Sequence, residues 1–290
     1  MKKIILIAIV ILQVVFAQAQ LRIMSFNIRF NNPKDTALTS WQMRKDPCAD
    51  MIHILNPDVI GMQEPRGDIQ INDIKVSLPD YTSIEMQVPE GWNVDKTGRI
   101  MMFFKTDKFS LLKQGQFWLN EDVSTPGVSF GSTDTGNIRG VQWIKLRETG
   151  SKKVFYLVNT HFPYKKNSVD DVSRAKCAEL IVNQMKKIAG EKAAVFVTGD
   201  MNASFDLSDK RRNSLIPFYS WFWSARDMAP KTDNKSSFNG FASQSYVWPH
   251  NIDHIYYRNA APQYFETHDK STYGVPFLSD HFPIICDFIY

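Results

Sequence analysis

Cysteine is scarce in this chain. Three in 290 residues, Cys48, Cys177 and Cys286, leave one thiol over and exclude a disulfide framework as the main source of stability. They are expected to be buried thiols, with oxidation of one pair after export as the alternative. Net charge is small as well. Thirty-four Lys and Arg stand against 30 Asp and Glu, a balance of +4 that provides no long-range field for steering a polyanion. The one dense basic run, Lys210-Arg211-Arg212, is expected to be a solvated loop. Several catalytic signatures are missing too. There is no Gly-x-Ser-x-Gly elbow, no His-Glu-x-x-His, no Cys-x-x-Cys, no P-loop and no dinucleotide fingerprint. No repeat, low-complexity tract or linker divides the chain.

The one long apolar run is at the start. Met1-Lys2-Lys3 precedes apolar residues 4–16 and then Ala17-Gln18-Ala19, the pattern of a secretory signal peptide over 1–19 cut after Ala19. The run is short for a bilayer span of about 20 residues, and no Cys at the cut offers a lipid anchor. Loss of Lys2 and Lys3 with this leader takes the net charge from +4 to +2. The expectation is a protein exported to the periplasm or beyond the cell, monomeric, with no stable membrane anchor, and with residues 20–290 forming one catalytic domain. A 43% hydrophobic content with 20 Phe is ample for a core of that size.

Runs rich in Val, Ile, Phe and Tyr predict strands at 21–26, 58–62, 99–104, 141–146, 154–159, 193–198, 252–257 and 283–288. Several are apolar on both faces, as strands inside a covered sheet are. Asp46-Pro47 reads as a cap and first turn for a helix ending near Leu55. A second helix is predicted over 170–189, with Ala178, Ile181, Met185 and Ile188 at helical spacing. The predicted class is α/β, a layered domain on mixed or antiparallel sheets.

Polar residues gather at the ends of these strands. Asn27, Glu64, His161, Asp200 and Asn202 follow strands, whereas Asp253, Asp280 and His281 fall at the beginnings of strands. If the second group of strands runs antiparallel to the first, all of these residues meet at one rim, the usual place for a ligand in an α/β sheet. Singly, each is better explained as a turn-forming Asp or Asn or a satisfied core His. Together they suggest metal-assisted hydrolysis, because carboxylates at a packed rim are costly without a cation or hydrogen bonds. His250 and His254 flank an extended segment and would stand roughly 13 Å apart, too far to share a metal. The oxygen-rich set suits Mg²⁺ or Mn²⁺.

In this order the residues resemble the endonuclease/exonuclease/phosphatase superfamily of metal-dependent phosphoesterases. The matching pieces are Ser25-Phe26-Asn27-Ile28-Arg29, Pro57-Asp58-Val59-Ile60-Gly61-Met62-Gln63-Glu64, Arg139, Asn159-Thr160-His161, Gly199-Asp200-Met201-Asn202, Ile252-Asp253-His254 and Ser279-Asp280-His281-Phe282-Pro283. The resemblance implies a four-layer sandwich, with two mixed β-sheets face to face and helices outside. It implies Glu64 as metal ligand, with Asn27 beside it and Asp280 as a further ligand. Asp200 would orient or deprotonate the attacking water, and Asn202 would fix the water and a phosphate oxygen. His281, held by Asp253, would face the phosphate, with His161 and Arg139 as further phosphate-binding or proton-donating groups. Trp41-Gln42-Met43-Arg44 and Ser237-Phe238-Asn239-Gly240-Phe241 resemble an exported bacterial branch.

One position departs from the pattern. Arg29 stands where many DNA-cutting members carry an acidic residue, two places after the asparagine. The expected activity is therefore hydrolysis of a small phosphate mono- or diester, such as a sugar or lipid-headgroup phosphate. A secreted nuclease acting on DNA or RNA is the first alternative, and an inactive binding protein on the same fold is the second. The aromatic stretch Pro217-Phe218-Tyr219-Ser220-Trp221-Phe222-Trp223 is expected to pack on the core, with a platform for a sugar or lipid as the rival reading.

Overall fold

The computed structural model describes residues 20–35, 38–204, 210–241, 251–270 and 272–290. The leader expected over 1–19 and His250 lie outside them. No helix among the described residues is long and apolar enough to cross a membrane.

Two six-stranded sheets form the centre. The first contains β1 (Gln20–Asn27), β2 (Val59–Gln63), β3 (Tyr81–Glu85), β4 (Ile100–Lys105), β11 (Ala261–Thr267) and β12 (Ile284–Ile289), in the order β11-β12-β1-β2-β4-β3. The second contains β5 (Phe109–Trp118), β6 (Gly140–Glu148), β7 (Val154–His161), β8 (Ala194–Asp200), β9 (Trp223–Ser224) and β10 (Asp253–Arg258), in the order β5-β6-β7-β8-β10-β9. Each sheet has one parallel pair at its middle, β1 with β2 and β7 with β8, and is antiparallel elsewhere. Each parallel pair is joined across a helix, α1 (Trp41–Leu55) or α3 (Ser168–Ala189), as a parallel connection requires. α2 (Gly67–Ser77) joins α1 on the first sheet, and α4 (Ala225–Met228) is a single turn after β9.

Three apolar clusters separate the layers. Leu21, Ile23, Val59, Phe104, Leu146, Phe155, Leu157, Phe196 and Phe288 fill the space between the sheets. Met24, Phe26, Ile60 and Met62 face the other way, onto Trp41, Met51 and Ile52 of α1. Trp143, Val158, Val195 and Val197 meet Cys177, Ala178, Ile181 and Met185 of α3. The result is the four-layer sandwich expected from the sequence. Strands apolar on both faces arise here because each sheet is covered twice.

Some expectations need correction. The first helix starts at Trp41, not at Asp46-Pro47, and Pro47 lies inside it. Proline costs that helix one backbone bond. Packing outweighs the loss, since Trp41 and Arg44 are both buried and Arg44 bonds the carbonyls of Thr39, Ile28 and Leu278 at 2.6–2.8 Å. α3 begins two residues before the expected Asp170, at Ser168, where Asn167 Oδ1 accepts from the Asp170 N–H. Cysteine oxidation is not seen. Cys48, Cys177 and Cys286 are free and buried, each in a different one of the three clusters. The aromatic stretch packs on the core, with Phe218 and Phe222 wholly buried beside α3, while Trp223 is exposed on the edge strand β9. Arg211 is buried rather than solvated, and donates to the Asn202 carbonyl at 2.9 Å.

Candidate active site

β10 runs antiparallel to β8 and β12 antiparallel to β1, so the residues at the starts of β10 and β12 meet those at the ends of β8 and β1. Register places Asp253 opposite Asp200 and His161 beside Asp200. The two sheets thereby share one polar rim around a cleft of about 420 Å³.

Asp200 stands at its centre. Its Oδ2 accepts from Asn27 Nδ2 at 2.9 Å, across from the other sheet, and its Oδ1 accepts from the Asn202 N–H at 3.0 Å. His161 Nε2 is 3.3 Å and His281 Nε2 3.6 Å from Asp200 Oδ2. His281 Nδ1 bonds Asp253 Oδ2 at 2.8 Å, so Asp253, His281 and Asp200 form one string. Asp200, Asp253 and His281 also bring their ligand atoms within 4.8 Å of one another, a buried acidic and histidine group. Since His281 Nδ1 is already committed to Asp253, the trio is better suited to moving a proton than to enclosing a cation.

Electrostatics separates the two histidines. Burial works against a charged His281, but Asp253 and Asp200 override it and push it up to about 10, so it is an imidazolium at neutral pH. His161 is held well below its ordinary value by burial first, then by Arg139, Arg99 and His281, and is neutral. Burial pushes Asp200 up to about 7, with His281 pulling it down and Asp253 pushing it further up.

Glu64 and Asp280 line the same cleft. Burial raises the Glu64 carboxyl, but Arg99, His281, Arg29 and Arg139 together leave it lowered and ionised. Its one hydrogen bond among the described residues is a 3.4 Å contact from the Phe30 N–H. Asp280 is raised, by burial and by Glu64, against His281 and Arg29. Asn27, by contrast, is engaged at both ends of its amide, because its Oδ1 accepts from the Arg29 N–H at 3.0 Å. Arg29 bridges Asp280 at 3.3 Å and Asp35 at 3.0 Å. Glu64, Asn202 and Arg29 all have positive φ, 67°, 49° and 59°, strained values for residues with a Cβ. Such strain persists where the surroundings over-determine the backbone, and here it aims three polar side chains at one cleft.

The Trp41–Arg44 and Ser237–Phe241 motifs act as supports. Arg44 bonds the Ile28 and Leu278 carbonyls, fixing both loops that carry Arg29 and Asp280. Ser237 Oγ accepts from the Ile252 and Asp253 N–H groups at 3.1 Å each, and Asn239 N–H donates to the Asp280 carbonyl at 2.8 Å. Phe238 places its ring edge-on to His281, with centroids 5.0 Å apart.

Arg139 lines the cleft and is held by Asp134 at 3.1 Å. Arg66, Arg99, Lys166 and Arg211 line it as well, a concentration of cations that the near-neutral composition hid. Arg99 was within reach of the sequence. It opens a predicted strand, now β4, that runs antiparallel to β2, so the rule that selects Asp253 also selects Arg99. Arg66 and Lys166 lie in loops, and no periodicity marks them. His254 bonds the Ala203 carbonyl through Nε2 at 2.7 Å, a satisfied buried histidine behind the rim.

Residues 24–281 match the family model described as Endonuclease/Exonuclease/phosphatase family. An uncharacterized protein of Acanthamoeba polyphaga mimivirus is 27% identical over 210 residues, which cover 61% of this chain and 29% of that protein. The chain therefore spans less than a third of that relative. A crystal structure of an endonuclease/exonuclease/phosphatase from Bacteroides vulgatus superposes with a TM-score of 0.78 at 28% identity, covering 93% of this chain and 99% of the other. A Bacteroides thetaiotaomicron mannosyl-6-phosphatase gives 0.79 at 23% identity, covering 93% and 100%, a likeness of fold.

Proposed function

The chain belongs to the endonuclease/exonuclease/phosphatase family, and from that premise we propose that it is an exported, divalent-metal-dependent phosphoesterase acting on a small phosphate ester. The observation that carries this reading is the Asp253–His281–Asp200 string, which shares one cleft with the Glu64 and Asp280 carboxylates. Two ionisable carboxylates sharing a cleft, one of them with a single long hydrogen bond, fit a hard cation such as Mg²⁺ or Mn²⁺. Glu64 and Asp280 would hold it, with Asn27 alongside. When bound, the cation supplies Lewis-acid stabilisation of charge on the phosphoryl and leaving oxygens.

The chain's own residues supply the rest. Asp200, fixed by Asn27 and by the Asn202 N–H, takes a proton from the attacking water. His281, charged and anchored by Asp253, presents Nε2–H to the phosphoryl oxygens, where negative charge grows. Asn202 Nδ2 donates to the Phe162 carbonyl at 3.1 Å, which sets the amide that would orient water and phosphate. Arg139 binds phosphate oxygens from the wall, and neutral His161 hydrogen-bonds them beside Asp200.

Arg29 weighs against a nuclease. Its guanidinium spans Asp35 and Asp280, so the position carries a cation that holds the carboxylate loop in place. The experiment is turnover by the mature protein on a panel of phosphomonoesters, phosphodiesters and plasmid DNA, with Mg²⁺, with Mn²⁺ and with chelator. Small-ester hydrolysis lost in chelator is expected. Efficient plasmid nicking abolished by Asp200→Asn, without small-ester turnover, would establish the nuclease instead. Full activity after exhaustive chelation would remove the metal from the mechanism.

A further inference from the structure

The reaction cleft shares a wall with a second cavity of equal volume, about 420 Å³. Arg66 and Arg99 line both. The second cavity lies between the start of α2, with Pro65, Gly67 and Asp68, and the chain around β3, with Gln87, Asp95 and Thr97. Its polar lining offers acceptors that suit hydroxyl groups. An opening of this size beside the catalytic one leaves room for substrate beyond the ester being cleaved.

The shared wall has an unusual charge arrangement. The guanidinium carbons of Arg29, Arg66 and Arg99 lie 4.8, 4.9 and 5.5 Å from the centre of one ring, Phe30. One aromatic ring relieves little of the repulsion among three cations. Arg29 has Asp35 and Asp280, and Arg66 has Asp95 at 3.6 Å on the rim of the second cavity. Arg99 has no carboxylate within 4 Å among the described residues. Its Nη2 donates to the neutral amide of Asn137 at 2.9 Å, and its Nη1 is buried without a hydrogen-bond partner. Burial lowers it to about 10, with Arg139 and Arg66 adding to the fall and Glu64 and Asp95 opposing it. A protein that crowds cations at a wall between two cavities stabilises them when an anion arrives.

We propose that the Arg66–Arg99 wall is a second anion station, so the substrate carries a second phosphate besides the ester phosphate cleaved at His281 and Asp200. The station deepens the hydrolase reading and rests on it for the chemistry, but its binding can be measured alone. A compact compound with a phosphate at each end spans the two stations, its scissile group at the catalytic rim and its hydroxyls toward the second cavity. The wall thus selects substrates by the charge at their far end.

Two measurements test this. Calorimetric titration of the metal-free protein with inorganic phosphate should show two sites in the wild type and one in Arg66→Ala and Arg99→Gln. Hydrolysis should favour a hexose bisphosphate over the matching hexose monophosphate by about tenfold or more in kcat/KM, the scale of one charge-assisted contact. Arg66→Ala, at a half-buried side chain, should bring that ratio toward one, chiefly through KM. A single phosphate site together with equal kcat/KM on the two hexose esters would overturn the station and leave the hydrolase reading standing. Two phosphate sites with no ester hydrolysed would keep the station and overturn the hydrolase. Stronger competition by a single-stranded oligonucleotide than by the bisphosphate would overturn the small-substrate assignment.

Discussion

Asn27 Nδ2 donates to Asp200 Oδ2 at 2.9 Å, and this bond joins the end of β1 in one sheet to the end of β8 in the other. The orientation of the proposed base in the second sheet is thereby set by the first. Any change in how the sheets sit on each other is felt at Asp200.

Asn27→Ala should slow turnover and move the acidic limb of the pH–rate profile upward. The lost hydrogen bond favoured the carboxylate, so Asp200, already pushed up to about 7, holds its proton to still higher pH. Since the base must be ionised, activity at a fixed pH below that limb falls. Profiles of kcat/KM for both proteins give the answer, and an unmoved limb would assign the base elsewhere.

Asp253→Asn and His281→Ala should each cut turnover by roughly 10²–10⁴-fold, the scale for a positioned acid or base. Their effects should not add, because Asp253 acts through the 2.8 Å bond to His281. Asp253→Asn also removes a charge that helps push His281 up to about 10, so the alkaline limb should shift to lower pH. Additive losses in the double variant would separate the two residues.

Glu64→Gln should weaken Mg²⁺ and Mn²⁺ binding by about tenfold or more in calorimetry, the loss of one ionised oxygen ligand. Metal-free thermal stability should fall modestly, since the carboxylate is held ionised by Arg99, His281, Arg29 and Arg139 and its loss leaves those cations less compensated. Unaltered metal affinity would place the cation on other residues.

Gly61→Ala tests the contact between sheets. A Cβ there would lie 1.9 Å from Thr198 Oγ1 and 2.8 Å from Asn159 Oδ1, inside the buried group formed by Gln63, Asn159 and Thr198. Overpacking of this kind costs about 1–3 kcal/mol or more. Chemical denaturation should show the loss, with partial recovery when Thr198→Ala is added. A neutral Gly61→Ala would mean that the sheets slide apart at low cost.

His254 makes stability fall in acid. Burial lowers it to about 4, against the opposing pull of the Ala203 carbonyl, while the unfolded chain titrates near 6.5. Between those values the unfolded state binds a proton that the folded state refuses, so stability drops as pH falls from about 6.5 toward about 4. His254→Gln should flatten this dependence, read as melting temperature between pH 7.5 and 5. Equal slopes would assign the acid sensitivity to other groups.

Local sequence alone marked the strands and the polar residues at their ends. An apolar run covered on both faces needs no partner to be recognised, and a polar residue at its terminus is at a rim wherever the strand lies. Asn27, Glu64, Asp200, Asp253 and His281 were legible on that ground. Helix α1 was misplaced because the burial of Arg44 against the Ile28 and Leu278 carbonyls depends on residues far along the chain. The cationic wall was hidden for the same reason. Arg29, Arg66 and Arg99 are separate positions in the sequence, and only the antiparallel course of β4 and the left-handed turn at Arg29 bring all three to Phe30. Composition averages charge over the whole chain, whereas tertiary structure concentrates it. Local pattern therefore decided which residues reach the rim, and the packing of one sheet on the other decided which of them meet.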